Sequence, residues 1–327
     1  MHIVILDDYQ DVVHTLPCFS KLQGHDVTIF TKTHERVSVV ERLIDADAVV
    51  LIRERTRITA ELLAQLPKLK LISQTGKISN HLDLEACTRY GVAVAEGVGS
   101  PIAPAELCWA LILAAQRRLL PYCRNLRVGY WQQSGIVGMG RSLHGQTLGI
   151  WGYGKIGKIV AGYGRAFGMK VQIWGRAASL EAARADGYTA APDKATFFAS
   201  SDVLSLHLRL INATRGIVKR ADLDLMQRDA LFVNISRAEL IERGALVSAL
   251  KAGRPGFAAV DVYEQEPLAP DHPFLHMENV LCSPHIGYVE QASYDLYFNA
   301  AFDNIVAWAN GTPQNIANPE VITKQAF

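Results

Sequence analysis

The sequence predicts an α/β protein built from two doubly wound parallel sheets. Through the first hundred residues, short apolar runs alternate with helical patterns, as expected for strands joined by crossover helices. A glycine-rich turn at residues 152–157 follows another apolar run, and a second series of apolar runs comes after it. With 327 residues, of which 49% are apolar, the chain is long enough for two domains with separate cores.

The first hundred residues supply the first sheet. We predict strands at residues 2–6, 27–30, 48–52, 69–73 and 92–95, and helices near residues 39–44, 59–66 and 82–90.

Two loops of this sheet follow strand ends, where ligands of parallel sheets bind. The first is RERT, with Arg53 and Arg55, which are either solvated surface groups or ligand contacts. The second is QTGKISN. Its Gly76 either serves only a turn or also aims the N–H groups of Lys77 and Ile78 at an anion.

The glycine-rich segment LGIWGYGKIGKIV is the strongest motif of the chain. Gly152, Gly154 and Gly157 complete G-x-G-x-x-G between a predicted strand and a helix at residues 156–167, and a second strand follows at 171–174. The first glycine allows a tight turn, the second a close approach to a pyrophosphate, and the third close packing of helix on strand. We predict a dinucleotide site; the alternative is a structural glycine turn.

The remaining segments complete a second parallel sheet and return to the first domain. We predict a helix at residues 105–120 ended by Pro121, followed by an irregular segment up to His144 that is functional or part of an interface. Strands are predicted at residues 203–208, 231–234, 258–262 and 280–283. A closing helix at 292–308 is expected to dock back on the first domain, followed by an extended tail at 310–322.

Composition excludes several classes of partner. The formal net charge is +1 and there is no basic block, so we expect neither nucleic acid nor a membrane surface as a partner. The N-terminus does not resemble a signal peptide, and no apolar run is long enough to span a bilayer. Five scattered cysteines without a C-x-x-C pair suit a reducing, cytoplasmic compartment. We expect no metal.

Charged or titratable side chains follow three strand ends of the second sheet. Arg237 follows one strand, ahead of a helix that we predict to begin near Ile241. Asp261 and Glu266 follow the next strand, and His285 follows the last. A guanidinium can bind a carboxylate in a bidentate fork, an imidazole can exchange a proton, and a carboxylate can stabilise the charged imidazole. Each alone is more often a surface group, but together on one edge they predict a site for carbonyl reduction or alcohol oxidation.

With these motifs the chain resembles the D-isomer-specific 2-hydroxyacid dehydrogenases, which include glyoxylate/hydroxypyruvate reductases and D-3-phosphoglycerate dehydrogenases. The resemblance covers nearly the whole chain and includes the segments HLDLEACTRYGVAVAEG, PAELCWALILAAQRR, SDVLSLHLRLINATRGIV, VNISRAELI, AAVDVYEQEPL and SPHIG. It implies a Rossmann cofactor domain, residues 101–288, inserted into a flavodoxin-like substrate domain, residues 1–100 and 289–327. It also implies a homodimer built by the helix at 105 and the segment after it.

The resemblance also implies the roles of individual residues. Arg237 would bind the substrate carboxylate and carbonyl, and His285 would be the acid/base, paired with Glu266. The residues implied for substrate binding are Arg53, Gly76, Lys77 and Ile78. Those implied for cofactor binding are Gly152, Gly154, Lys155, Ile156, Gly157, Gly175, Arg176, His207, Ile235, Ser236 and Asp261, the last bordering the nicotinamide. The activity expected is hydride transfer between a nicotinamide and a 2-oxo or D-2-hydroxy acid.

The strand MKVQIWGR decides which dinucleotide we expect. An NAD enzyme usually has Asp or Glu at this strand end to bind the ribose hydroxyls, whereas an NADP enzyme removes that charge and supplies an arginine. Here the strand ends in Gly175 and Arg176, and no acid occurs before Glu181. We therefore predict NADP(H). Alternatively, Arg176 faces solvent or stacks on adenine, and NAD(H) is used.

Two departures from the family pattern leave the substrate open. KISNH replaces the usual substrate-loop sequence, and GYVE replaces the small residues that usually follow the histidine. Two other functions of the same family are alternatives: a dinucleotide-sensing transcriptional corepressor, and an enzyme that oxidises formate or phosphite. The sequence shows neither the flanking segments expected of the first nor the substrate-loop residues of the second.

Overall fold

The computed structural model describes residues 1–32 and 37–324, which form two compact units. The first unit comprises Met1–Ser100 and Glu290–Phe327, and the second comprises Pro101–Val289. Residues 33–36 and 325–327, which we assigned to the substrate domain, lie outside the described residues. None of the helices in the described part of the chain combines the length and the apolar composition that a membrane span requires.

The first unit contains a five-stranded parallel sheet with the order β2-β1-β3-β4-β5. This is the doubly wound order of flavodoxin-like domains. Its strands are β1 His2–Ile5, β2 Asp26–Ile29, β3 Ala48–Leu51, β4 Leu71–Gln74 and β5 Ala93–Ala95, and its first helices are α1 Val39–Leu43, α2 Ala60–Leu63 and α3 Leu84–Arg89. Strands β3 and β4 are buried along their whole length, which explains why they appear in the sequence as continuous apolar runs.

The second unit begins with two helices and continues with alternating strands and helices. In chain order these are α4 Ile102–Gln116, α5 Leu119–Arg127, β6 Thr147–Trp151, α6 Lys155–Ala166, β7 Lys170–Trp174, α7 Ala177–Ala185, β8 Thr189–Ala190, α8 Lys194–Ser200, β9 Val203–Leu206, α9 Arg220–Asp224, β10 Leu231–Asn234, α10 Ala245–Ala252, β11 Phe257–Val260 and β12 Val280–Cys282.

The strands of the second unit form a seven-stranded parallel sheet with the order β12-β11-β10-β9-β6-β7-β8. This is the Rossmann order with a seventh strand at one edge. Helices α4 and α6 pack on one face over a core that includes Ile112, Ile150 and Val233. The other face is covered by a second core that includes Phe197, Phe232 and Leu250. The prediction of two doubly wound parallel sheets is confirmed.

One further helix, α11 Gln291–Ala309, belongs to the first unit. It buries Phe298, Phe302 and Ile305, and its Ala301 carbonyl oxygen accepts a hydrogen bond of 2.8 Å from the hydroxyl of Ser73 on β4. The closing helix therefore docks on the first sheet, as the sequence predicted.

Two sequence predictions about helix ends are wrong. Pro121 does not end the first long helix, which stops at Gln116; it lies in the first turn of α5, where the missing proline N–H costs no helical hydrogen bond. The break is made by Arg118, whose φ of 54° is left-handed. Likewise no α-helix begins near Ile241: a short 3-10 turn at Ala238–Leu240 comes first, and α10 starts at Ala245.

Candidate active site

The glycine loop lies between β6 and α6, where the strand order of the second unit reverses. Gly152 has a φ of 103°, and its N–H donates to the carbonyl oxygen of Trp174 at 2.9 Å. A Cβ on Gly152 would lie 2.5 Å from the carbonyl oxygen of His207. Both the dihedral angle and the close approach require glycine, so the loop is held tightly against the ends of β7 and β9.

The other two glycines of the motif have opposite surroundings. A Cβ on Gly157 would overlap the carbonyl oxygen of Gly152, whereas a Cβ on Gly154 would meet no described atom within 4 Å. Gly154 caps α6, and among the described residues no side chain caps the helix and no acid lies in its first turn. Lys155 and Ile156 therefore begin a helix whose N-terminal N–H groups and dipole fit the phosphates of a dinucleotide.

Tyr153, which sequence reasoning missed, anchors the glycine loop from inside the motif. Its ring is 6% exposed, and its hydroxyl donates to Oδ2 of Asp186 at 2.8 Å. Nζ of Lys158 lies 3.1 Å from the same oxygen. An aromatic residue between two motif glycines was the available signal, because a buried tyrosine hydroxyl needs a partner.

The end of β7 presents Gly175 and Arg176. Arg176 is exposed and is the N-terminal cap residue of α7. A Cβ on Gly175 would meet its nearest atom, Cβ of Ser179, at 3.4 Å, an ordinary contact, so a larger residue fits there. Glu181, the first acid after the strand, is exposed and lies within α7.

His285 and Glu266 form a direct pair. Nδ1 of His285 lies 2.6 Å from Oε2 of Glu266, and the two side chains are 28% and 33% exposed, so both reach solvent. The ring of Tyr288 packs edge-on against His285 at a centroid distance of 6.0 Å. Because Nδ1 faces the carboxylate, Nε2 is the nitrogen that remains to exchange a proton with a bound molecule.

Asp261 holds the loop that carries His285. It is 0% exposed. Its Oδ1 accepts from the hydroxyl of Ser283 at 2.6 Å and from the N–H of Ile286 at 2.9 Å, and its Oδ2 accepts from the N–H of Gly287 at 2.9 Å. Burial raises the pKa of Asp261, and these donors act in the opposite direction. The carboxylate of Asp261 is thus used within the protein, and that Asp261 borders a nicotinamide stays a prediction.

Tyr263, also missed from the sequence, connects the same two loops. Its N–H donates to Oε1 of Glu266 at 2.9 Å, and its hydroxyl donates to the carbonyl oxygen of Ser283 at 2.8 Å. Burial raises the pKa of Tyr263, so the hydroxyl stays protonated and remains a donor. The DVYEQEP segment therefore positions both members of the His285 and Glu266 pair.

Arg237 follows β10 in an extended conformation. Nδ2 of Asn234 donates to the carbonyl oxygen of Arg237 at 2.8 Å, and the hydroxyl of Ser236 donates to the carbonyl oxygen of Leu206 at 2.7 Å. Ile235 is only 8% exposed and packs into the core. Arg237, Glu266 and His285 thus follow the neighbouring strands β10, β11 and β12 on the carboxyl edge of one sheet.

The first unit holds Arg53 rigidly at the end of β3. Its φ is 57°, its N–H donates to the hydroxyl of Thr75 at 3.0 Å, and its carbonyl oxygen accepts from Nε2 of Gln74 at 2.6 Å. The guanidinium lies against Gly76, where a Cβ would overlap it, and 5.6 Å from the ring centre of Tyr297. The glycine therefore makes room for the arginine.

The N–H of Ile78, which is predicted to face a bound anion, meets a carboxylate of the protein. The N–H of Ile78 donates to Oε1 of Glu96 at 3.1 Å, and Nζ of Lys77 lies 2.7 Å from Oε2 of the same carboxylate. The anion that meets this loop is thus a side chain of the protein. Within residues 1–32 and 37–324, no group of three or more His, Cys, Asp or Glu residues is arranged to hold a metal ion.

The chain matches a known family and several relatives. Residues 109–287 match the family described as "D-isomer specific 2-hydroxyacid dehydrogenase, NAD binding domain". A glyoxylate reductase from Aeropyrum pernix is 37% identical over 275 residues, 81% of each chain. A crystal structure of a candidate D-3-phosphoglycerate dehydrogenase oxidoreductase from Ralstonia solanacearum is 56% identical, with a TM-score of 0.96 over 98% of each chain. A phosphoglycerate oxidoreductase from Vibrio cholerae O395 is 59% identical, with a TM-score of 0.92 over 95% of this chain and 99% of the other.

The two glycines with opposite surroundings yield a paired prediction. Gly154→Ala should leave the free energy of unfolding within about 0.5 kcal/mol of the parent value, because the methyl group enters open space. It should nevertheless weaken dinucleotide binding. Gly157→Ala should cost about 1–3 kcal/mol of stability, because the methyl group overlaps a backbone oxygen. Urea unfolding and dinucleotide titration of both variants measure this, and equal stability losses would contradict it.

Proposed function

The chain belongs to the D-isomer specific 2-hydroxyacid dehydrogenase family, and from that premise we propose that it moves a hydride between a nicotinamide dinucleotide and C2 of a 2-oxo or D-2-hydroxy acid. The observation that carries this proposal is the 2.6 Å contact between Nδ1 of His285 and Glu266. It leaves Nε2 for proton exchange and supplies an anion to stabilise the charged ring.

In the proposed reduction, Arg237 binds the substrate carboxylate and polarises the carbonyl group at C2. The bound nicotinamide supplies the hydride in this direction and accepts it in the other. The proton on Nε2 of His285 passes to the oxygen at C2 as that oxygen gains negative charge, so the ketone becomes an alcohol and His285 becomes neutral. Glu266 keeps the ring charged until the proton leaves, and Tyr263 and Asp261 hold the loops in place.

We also propose that the first unit contributes to substrate recognition through Arg53 and the loop at Gly76, Lys77 and Ile78. The fixed backbone of Arg53 supports this, since it limits the positions that the guanidinium can take. The side chain of Lys77 is 70% exposed and is therefore accessible. A panel of glyoxylate, hydroxypyruvate, pyruvate, phenylpyruvate and 2-oxoglutarate, assayed by cofactor oxidation, would identify the substrate.

The Glu266→Gln variant tests the catalytic pair. Removing the negative charge disfavours the charged imidazole. Reduction needs that charged form, so its alkaline limb should move to lower pH, and oxidation, which needs the neutral ring, should become active at lower pH than before. Full profiles of kcat/KM against pH in both directions measure this.

A matched control is Glu264→Gln, because Glu264 is in the same loop but lies 3.4 Å from Arg243 instead. Its two profiles should coincide with those of the parent enzyme. Limbs that stay in place in the Glu266→Gln variant in both directions would show that Glu266 is not the partner of the catalytic histidine.

We propose that NADP(H) is preferred over NAD(H). The exposed guanidinium of Arg176 at the end of β7 supports this, as does the room left by Gly175, since a 2′-phosphate needs both a cation and space. The first acid, Glu181, lies about one helical turn further along α7, so we do not expect it to take the place of the missing carboxylate.

The double variant Gly175→Asp, Arg176→Ala should reverse this preference. The new carboxylate can accept from the ribose hydroxyls and repels a 2′-phosphate, and the backbone at Gly175 tolerates a side chain. The measurement is kcat/KM with NADPH and with NADH on one oxo acid. Arg184→Ala, at the other end of α7, is the control and should keep the parent preference. A parent enzyme at least tenfold better with NADH would refute the proposal.

We propose that the protein is a homodimer whose contact includes residues 119–139. None of the described residues of α5 is buried, and the segment after it leaves Trp131 73%, Ile136 89% and Met139 85% exposed. Large apolar groups concentrated in one segment usually mark a contact with another protein surface.

Replacing Trp131 and Ile136 with glutamate should therefore produce a monomer, since buried charges oppose association. Light scattering coupled to gel filtration should give twice the 35.9 kDa of one chain for the parent and that single mass for the variant. Tyr90→Glu alters a residue of the first unit that is 47% exposed and should remain dimeric. A monomeric parent would refute the proposed homodimer.

A cytoplasmic location completes the proposal. All five cysteines are free thiols, and Cys18, Cys87 and Cys108 are buried where no second thiol pairs with them in the described residues. Unpaired thiols of this kind suit a reducing compartment.

A further inference from the structure

A row of three polar side chains crosses the core of the second unit and ends beside the glycine loop. Sγ of Cys108, on α4, lies 3.3 Å from the hydroxyl oxygen of Ser205, on β9. The same hydroxyl oxygen lies 3.0 Å from Nε2 of His207, which follows β9. Cys108 and Ser205 are both 0% exposed.

The strand geometry explains why these groups meet. Side chains two residues apart on a strand face the same side, so Ser205 and His207 share the face of β9 on which α4 packs. That face is otherwise apolar, so each polar atom there must find its hydrogen bond within the row. In the described part of the chain, neither Cys108 nor Ser205 has another side-chain partner.

Counting hydrogens assigns the direction of the bonds and the tautomer of the ring. If the thiol donates to Ser205 and the Ser205 hydroxyl donates to Nε2, both buried hydrogens are used and the ring proton is on Nδ1. If instead Nε2 carries the proton and donates to Ser205, a thiol or hydroxyl hydrogen is left buried without an acceptor. The first arrangement leaves one buried group without a partner, the Nδ1–H, whereas the second leaves two, the Nδ1 lone pair and a thiol or hydroxyl hydrogen. Each unsatisfied buried group costs about 1–3 kcal/mol, so the first arrangement is favoured.

The protonation states agree with this assignment. Burial lowers the pKa of His207 to about 4, so the ring is neutral at pH 7 and has one proton to place. Burial raises the pKa of the Cys108 thiol to about 12, so the thiol keeps its hydrogen.

His207 lies where the strand order reverses. Its N–H donates to the carbonyl oxygen of Trp151 at 2.8 Å, and its own carbonyl oxygen packs against Gly152. Nδ1 is sheltered, and it has no hydrogen-bond partner among the described residues. A dinucleotide in the crevice at such a reversal carries phosphate, ribose and amide oxygens, all of which accept hydrogen bonds.

We propose that Cys108 and Ser205 are positioning residues that fix His207 as the Nδ1–H tautomer, so that its ring donates a hydrogen bond to an oxygen of the bound dinucleotide. This inference rests on the proposed function for its ligand. The inference has two halves: the tautomer of His207, which concerns the protein alone, and the hydrogen bond to the dinucleotide. Each half can fail without the other.

The tautomer is tested first, without cofactor, by two-bond ¹⁵N–¹H correlation spectra of the full-length protein labelled at histidine. His207→Gln identifies the signal of His207 among the ten histidines. The parent should show the Nδ1–H pattern at pH 7, and Ser205→Ala should show a population of Nε2–H, because Nε2 loses its donor. Cys108→Ser keeps a donor hydrogen and should retain the parent pattern.

Dinucleotide binding is tested next, by fluorescence titration with NADPH and with NADH. Ser205→Ala should bind the preferred dinucleotide about threefold to tenfold more weakly, the effect of one neutral hydrogen bond. Ser201→Ala is a matched control: Ser201 is equally buried, but its hydroxyl donates to the carbonyl oxygen of Phe197. It should bind like the parent. If Ser205→Ala does not fold, the parent spectrum alone still decides the tautomer.

Two results would overturn the inference. One is a parent ring with its proton on Nε2. The other is a folded Ser205→Ala variant with the parent tautomer and the parent affinity. A parent that shows the Nδ1–H pattern but binds neither dinucleotide would refute the proposed function and the ligand half of this inference. The tautomer half would stand.

Discussion

Parallel pairing of all seven strands is the constraint on which the rest of the second unit depends. Because the strands run in one direction, every loop after a strand leaves from the same edge. The glycine loop, Arg176, His207, Arg237, Glu266 and His285 all follow strand ends on that edge. Residues separated by more than a hundred positions in the chain are therefore brought to one edge of one sheet.

The groups at this edge are held by buried polar contacts rather than by their own packing. Asp261 illustrates the balance of energies. Burying a carboxylate costs several kcal/mol, but Asp261 accepts three hydrogen bonds, and each bond to a charged group contributes about 1.5–3 kcal/mol. The bonds can offset the cost, and all three lead to the loop around His285. Tyr263 fixes the same loop from a second direction, and Tyr153 does the same for the glycine loop.

The sequence predicted the parts of this protein that depend on local pattern. Buried parallel strands are continuous apolar runs, so both sheets could be recognised, and the motif glycines lie where their spacing suggested. The sequence was less informative where a contact between distant residues determines the local structure or the role of a side chain. Proline is compatible both with the residue after a helix and with the first turn of a helix. The left-handed backbone of Arg118 ends the first helix and places Pro121 in the first turn of the next. The carboxylate of Asp261 is used internally by three donors distant in sequence, which spacing alone does not reveal. Tyr153 and Tyr263 were missed because their partners cannot be read from spacing.

In the proposed reaction, a hydride passes to C2 of an oxo acid while a side chain at this edge of the sheet supplies the proton. The most direct test uses a reduced dinucleotide with deuterium at both C4 positions and pyruvate or hydroxypyruvate in ordinary water. The product is analysed by mass spectrometry and chiral chromatography. We expect a D-2-hydroxy acid with one deuterium at C2. A product without deuterium at C2, or an L-hydroxy acid, would contradict it.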